Sequence, residues 1–89
     1  MEFEWDITKN NLNKNKHGIS FEEARVVFDD EDKYVEQTNR NDEIRYKVVG
    51  LIIGKLFTVV YTVRKSIIRI ISARRANKLE VRKYNDKNE

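Results

Sequence analysis

The sequence predicts an α+β domain in which two N-terminal helices precede an antiparallel sheet and a last helix follows it. Three observations carry this. Leu56 to Val63 and Ile67 to Ala73 are apolar runs rich in β-branched and aromatic residues, which suit a pleated, largely buried surface. Glu43 to Leu51 alternates, with Ile44, Tyr46 and Val48 on one face and Arg45 and Lys47 on the other, as in a half-buried antiparallel strand. Ser20-Phe21-Glu22-Glu23 has the spacing of a capping box, the start signal of a helix.

Taken in order, Phe3-Glu4-Trp5 reads as a short edge strand and Asp6 as the N-cap of a helix running through Ile7 and Leu12 to about Lys16. Lys14, Lys16 and His17 lie in its last turn, where cations suit the helix dipole, and Gly18 can take the left-handed position that ends it. The second helix starts at Ser20 and stops near Asp29, with Phe21, Ala24 and Phe28 on its buried face and Ile19 packing on Ala24 across the cap. Asp29 to Asp32 is a solvated acidic loop without the glycine and glutamate spacing of a calcium site. Lys33 to Thr38 is a further strand, with a turn at Asn39 to Asp42. Gly54 marks the next hairpin turn, and Arg64-Lys65-Ser66 the one after it. Both faces of Leu56 to Val63 are fairly apolar, which makes it a central strand. The last helix is expected from about Arg75 to Tyr84, with Arg74, Lys78 and Arg82 as a basic stripe and residues 85–89 frayed.

A chain of 89 residues with 39% hydrophobic side chains holds one domain, 1–89, and one modest core. It contains no cysteine and a single histidine, so thiolate metal sites and disulfides are excluded and no metal or other cofactor is expected. No signal peptide or membrane span is visible, so a soluble cytoplasmic protein is expected, without a membrane partner. The net charge of +3 conceals an asymmetry. Residues 1–43 carry twelve acidic and six basic side chains, whereas residues 44–84 carry eleven basic ones and a single carboxylate, Glu80. Because these cations interleave with strand residues, they point to an anionic partner for the second half. Arginines at strand ends, Arg64, Arg74 and Arg75, with Arg69 inside a strand, would form a phosphate cradle.

The segments F-E-W-D-x-x-K-x-x-x-N-x-x-K-H-G-I-S-F-E-E-A from Phe3, V-F-D-D to Asp30, V-V-Y-T-x-R to Arg64 and I-R-I-I-S-A-R-x-A-x-x-x-E-x-x-x-Y to Tyr84 together resemble the BrnT family of type II toxins. The resemblance covers nearly the whole chain in order and is weakest over Glu31 to Asn41. It implies a RelE-like fold, an endoribonuclease activity that halts translation, and a cognate BrnA-like antitoxin through which alone the pair would reach DNA.

Cleavage of RNA without a metal uses the ribose 2′-hydroxyl as nucleophile. It needs a base, an acid for the leaving oxygen and cations for the charged transition state. Arg64 is the first candidate for a transition-state clamp; its structural alternative is a salt bridge to the acidic loop. Arg74, matched to S-A-R, and Arg75 follow as phosphate ligands at a strand-to-helix junction, against an ordinary basic surface. His17 is an acid or base, or simply a helix-end cation. Glu80 is a base or an ion-pair partner of Arg75, Lys83 or a sheet arginine. Tyr84 shares its helix face and completes the catalytic set. Lys16, Arg45, Lys47, Arg69, Arg75, Lys78 and Arg82 are the expected RNA contacts. Trp5 and Tyr61 stack on bases or belong to the core. The catalytic assignment requires His17 to lie within reach of Arg64 and Arg74. The competing readings are a non-catalytic nucleic-acid-binding module and a pure protein-interaction domain.

Overall fold

The computed structural model describes all 89 residues. Strand β1 (Glu2–Glu4) is followed by α1 (Ile7–His17) and a short α2 (Phe21–Ala24) that tightens into a 3-10 segment over Arg25–Asp29. Strands β2 (Tyr34–Arg40), β3 (Glu43–Ile52), β4 (Lys55–Arg64) and β5 (Ile67–Arg75) form an antiparallel meander, and α3 (Lys78–Lys87) closes the chain. The sheet order is β1-β5-β4-β3-β2, with β1 parallel to β5. β4 is thus central, as its two apolar faces predict.

The meander is built by three two-residue turns whose central residues all have positive φ: Asn41-Asp42, Ile53-Gly54 and Lys65-Ser66. This is the handedness that matches strand twist in tight hairpins. It also accounts for strands longer than expected, since each turn consumes only two residues.

Asp6 caps α1 through its side chain and Gly18 ends it at φ 74. Ser20 and Glu23 close the expected capping box. Phe21, Ala24, Val27 and Phe28 then pack against Val48, Val59, Tyr61, Ile70 and Ala73 on one sheet face. Trp5 lies edge-on to Phe21 and Tyr61 stacks on Tyr46, so both aromatics belong to this core. The segment after Ala24 is 3-10 rather than α-helical, which brings Val27 and Phe28 into the core together, one after the other.

Gly50 sets how closely this layer approaches. A Cβ on Gly50 would stand 2.9 Å from the Val27 carbonyl oxygen and 3.2 Å from Val27 Cβ. Gly50→Ala is therefore expected to destabilise the fold by about 1–3 kcal/mol, because backbone rather than a mobile side chain must move. Urea unfolding checks this: an unchanged midpoint would mean that the close approach does not limit packing.

Two expectations about helices change. Ile7 and Leu12 are exposed in α1, and the one buried residue of that helix is Asn13. α3 starts at Lys78 rather than near Arg75, capped by an Asn77–Glu80 capping box. Arg74 consequently belongs to β5 and does not share a helical stripe with Lys78 and Arg82. α3 runs to Lys87; the Lys87 ammonium donates to the Lys33 carbonyl at 2.9 Å, and the Asn88 amide donates to that of Asp32 at 3.0 Å.

Candidate active site

Strand parity places Arg45 and Lys47 of β3, Thr58, Thr62 and Arg64 of β4, and Arg69, Ser72 and Arg74 of β5 on the sheet face away from α1 and α2. A bulge between Val60 and Tyr61 on β4 and Ile70 and Ser72 on β5 makes Ile71 the extra residue. The bulge lets Ile70 and Ala73 both enter the core while Ser72 and Arg74 share the other face.

α3 covers one end of that face, and Glu80 is what holds it. The Glu80 side chain is 2% exposed. It accepts from Arg74 Nη1 at 2.8 Å, Arg74 Nη2 at 3.0 Å, the Thr58 hydroxyl at 2.8 Å and the Asn77 amide at 2.9 Å, and Lys47 Nζ lies at 3.0 Å. Burial alone pushes this carboxyl up. The Arg74 guanidinium, the Asn77 amide, the Thr58 hydroxyl and Lys47 outweigh it and hold the group at about 2. One turn on, the Tyr84 hydroxyl donates to Asp30 Oδ2 at 2.7 Å. Burial and the Asp30 carboxylate both raise the Tyr84 phenol. Asp30 also accepts from the amides of Leu51 and Asp32, so the expected solvated loop is anchored.

At the open end of the face the cations are paired as well. Arg45 Nε lies 2.8 Å and Arg64 Nη2 3.3 Å from the Glu43 carboxylate, and Arg69 Nη1 is 3.0 Å from that of Glu4. Arg64 remains 59% exposed at its side chain, so its guanidinium reaches solvent. Its partner is Glu43 and not the acidic loop. Lys16, Lys78 and Arg82 have no carboxylate within ion-pair distance. Arg75 turns to the other sheet face, with its guanidinium carbon 5.5 Å from the Phe57 ring centroid.

His17 lies at the sheet edge beside β5. It lines a shallow hollow of about 220 Å³ with Lys9, Leu12, Asn13, Lys16, Ile71 and Ser72. Asn13 fixes this arrangement. Its amide donates to the carbonyls of Ile19 and Ala73, both at 2.9 Å, and its Oδ1 accepts from the Ala73 amide at 3.1 Å. β1 pairs only with Ile67 to Arg69, so Asn13 supplies the edge partner that β5 lacks beyond it. Asn10 accepts from the Phe21 amide at 2.8 Å, which locks α1 to α2.

Of the expected residues, the fold brings His17 and Lys16 to Ser72, and Ser72 and Arg74 stand two residues apart on one face, roughly 7 Å along the strand. Arg74, Lys47 and Glu80 form one cluster. Arg64 pairs with Ile67, five residues from Ser72 and thus roughly 16 Å from the hollow along β5. His17, at the end of α1 beside the β5 edge, and Arg64, on the face away from α1, are therefore not brought together, and the expected reach of His17 to Arg64 is not met. Sequence reasoning missed Asn13, Ser72 and Asn77. Asn77-x-x-Glu80 carries a capping-box signal; Asn13 is a fixed letter of the family pattern but carries no local signal for its role, because its Ala73 partner lies 60 residues away.

No group of three or more His, Asp or Glu side chains is placed to hold a metal ion. No helix is long and apolar enough to cross a membrane. No curated relative matches the chain. The profile of the family described as "Ribonuclease toxin, BrnT, of type II toxin-antitoxin system" matches residues 5–80, a span that contains every element from α1 to β5, the hollow and Glu80. The chain belongs to that family of ribonuclease toxins.

Proposed function

We propose that this chain is a metal-independent endoribonuclease whose chemistry lies in the hollow between α1 and β5. The observation that carries the reading is the meeting of His17, Lys16 and Ser72 there, on the strand that also presents Arg74. In the proposed reaction the His17 imidazole takes the proton of the ribose 2′-hydroxyl, O2′ bonds to phosphorus, and the P–O5′ bond breaks. Lys16 gives a proton to the departing O5′. The products are a 2′,3′-cyclic phosphate and a 5′-hydroxyl.

Arg74 is the proposed clamp on the pentavalent phosphorus. Three of its five N–H donors are used, two on Glu80 and one on the Arg75 carbonyl at 3.2 Å, which leaves two for phosphate oxygens. Glu80 acts through Arg74 as a positioning residue, since its two oxygens already accept from four donors. Tyr84 holds α3 through Asp30, and Lys47 holds Glu80. Arg64, with Arg45 and Arg69, contacts the same RNA strand farther along, and Lys78 and Arg82 add exposed charge on α3. Arg75, on the other face, contributes to RNA affinity only at long range. Family membership supports a RelE-like relation, arrest of translation, and a BrnA-like antitoxin that carries any link to DNA.

Induced expression in a bacterial host tests the reading. Wild type is expected to arrest growth, His17→Ala to abolish the arrest and Arg64→Ala to weaken it. Abolition by Arg64→Ala with full arrest by His17→Ala would move the chemistry to the Glu43 end of the face. Equal growth of wild type and both variants would contradict a toxin.

A further inference from the structure

The tight turn between β3 and β4 carries an anomaly. The other two hairpins place Asn41-Asp42 and Lys65-Ser66 at their positive-φ centres, whereas this one places Ile53, at φ 47, ahead of Gly54. A β-branched residue is poorly suited to that conformation, for which asparagine, aspartate and glycine are the usual occupants. Ile53 is also 95% exposed, so no packing within the chain compensates. Backbone strain of this kind clusters at ligand and switch sites.

The isoleucine forms one wall of a groove of about 250 Å³ whose floor is Ile19, Ile52 and Phe57. Two cations flank it: Lys55 at the rim, and Arg75 over the Phe57 ring. The single carboxylate in the lining, Glu23, is occupied by Lys14 at 2.7 Å and by the Ser20 amide at 2.9 Å. The groove is apolar within and positive at its edge, and its volume suits one or two large apolar side chains. It opens on the face of the sheet that bears α1 and α2, away from Arg74.

We infer that this groove binds an acidic segment of the neutralising partner protein, with a branched or aromatic side chain seated against Ile53 and Phe57 and a carboxylate against Lys55 and Arg75. The inference rests on the toxin–antitoxin reading above, and its readout does not depend on RNA cleavage. The groove begins at Gly18, next in the chain to His17, but shares no lining residue with the hollow, so the segment anchors the partner beside the active site rather than in it.

The test uses the product of the adjacent reading frame, purified and titrated into the full chain by calorimetry. Ile53→Asn gives the turn its preferred residue and removes the wall. It is expected to raise Tm by about 4 °C and to weaken binding at least tenfold. Lys55→Glu is expected to weaken binding at least tenfold and to flatten its salt dependence. Ile44→Asn, at the opposite end of β3, is the control and stays within twofold of wild type. Binding by either groove variant within threefold of wild type overturns the inference, as does equal loss in the control or no binding by wild type. A concentration-dependent dimer of the chain alone that Ile53→Asn abolishes would assign the groove to a second copy, and overturns it too.

Discussion

Glu80→Ala is expected to cost about 3–5 kcal/mol of stability. The buried carboxylate is the common acceptor for Arg74, Lys47, Thr58 and the Asn77 amide. Removing it leaves two cations and a hydroxyl facing each other beneath α3, and it also deletes half of the α3 capping box. Chemical unfolding measures the loss, and detachment of α3 should appear as fast hydrogen exchange at Val81 to Lys87. A loss below about 1 kcal/mol would mean that the cluster is solvated and does not hold the helix.

The same group gives the fold an acid-labile component. Its value of about 2 in the folded chain lies below the ordinary 4.5. A depressed carboxyl contributes stability that is complete above the unfolded value and disappears as pH falls toward the folded one. The difference corresponds to about 3 kcal/mol, lost between about pH 4.5 and pH 2. Glu80→Gln should lack this slope while wild type shows it. Glu23 is also drawn to about 2, by the Lys14 ammonium and the Ser20 amide and hydroxyl. It is exposed, so solvent screening makes its contribution to the slope small.

Asn13→Ala is expected to cost about 2–4 kcal/mol, because it orphans a buried amide and two carbonyls in a chain whose α1 buries no apolar side chain. The effect should exceed that of Leu12→Ala, whose side chain is exposed. It also reaches the candidate site, since Asn13 is what sets α1, and with it His17, against Ser72. Asn13→Asp keeps the acceptor for the Ala73 amide but presents a second oxygen to two carbonyls, so it should not rescue. Equal midpoints for the Asn13 and Leu12 variants would show that α1 is held some other way.

How much of this was legible in the sequence follows from the range of each signal. Local signals were reliable: the Ser20–Glu23 box, the Gly18 cap, the alternation of Glu43 to Leu51 and the parity of β4 all appear as expected. Parity also put Arg64 on the face away from α1 and α2, whereas α3 packs on one end of the same face as Arg64. The start of α3 was misplaced because the apolar β5 pattern fades gradually at Arg74 and Arg75. The Asn77-x-x-Glu80 spacing, overlooked in favour of the arginine spacing, marks the true start. The roles of Asn13 and Ser72 were not legible, although both are fixed letters of the family motifs: one looks like a poor helix former, and the other gains meaning only through the bulge at Ile71. The charge asymmetry was real but incomplete as a guide to the surface. Glu4, Glu36 and Glu43 come from the acidic half of the chain and pair with Arg69, Lys47, Lys83, Arg45 and Arg64 of the basic half. Composition cannot show that cancellation, since it is made by strand pairing and by the docking of α3 on β2.

The most direct test of the proposed chemistry is to incubate the purified chain with RNA in EDTA and identify the new ends. Wild type is expected to yield 2′,3′-cyclic phosphate and 5′-hydroxyl ends, with His17→Ala lowering the rate at least a hundredfold while unfolding at the wild-type midpoint. Intact RNA, ends bearing a 5′-phosphate, or equal cleavage by His17→Ala would contradict an active site in the hollow between α1 and β5.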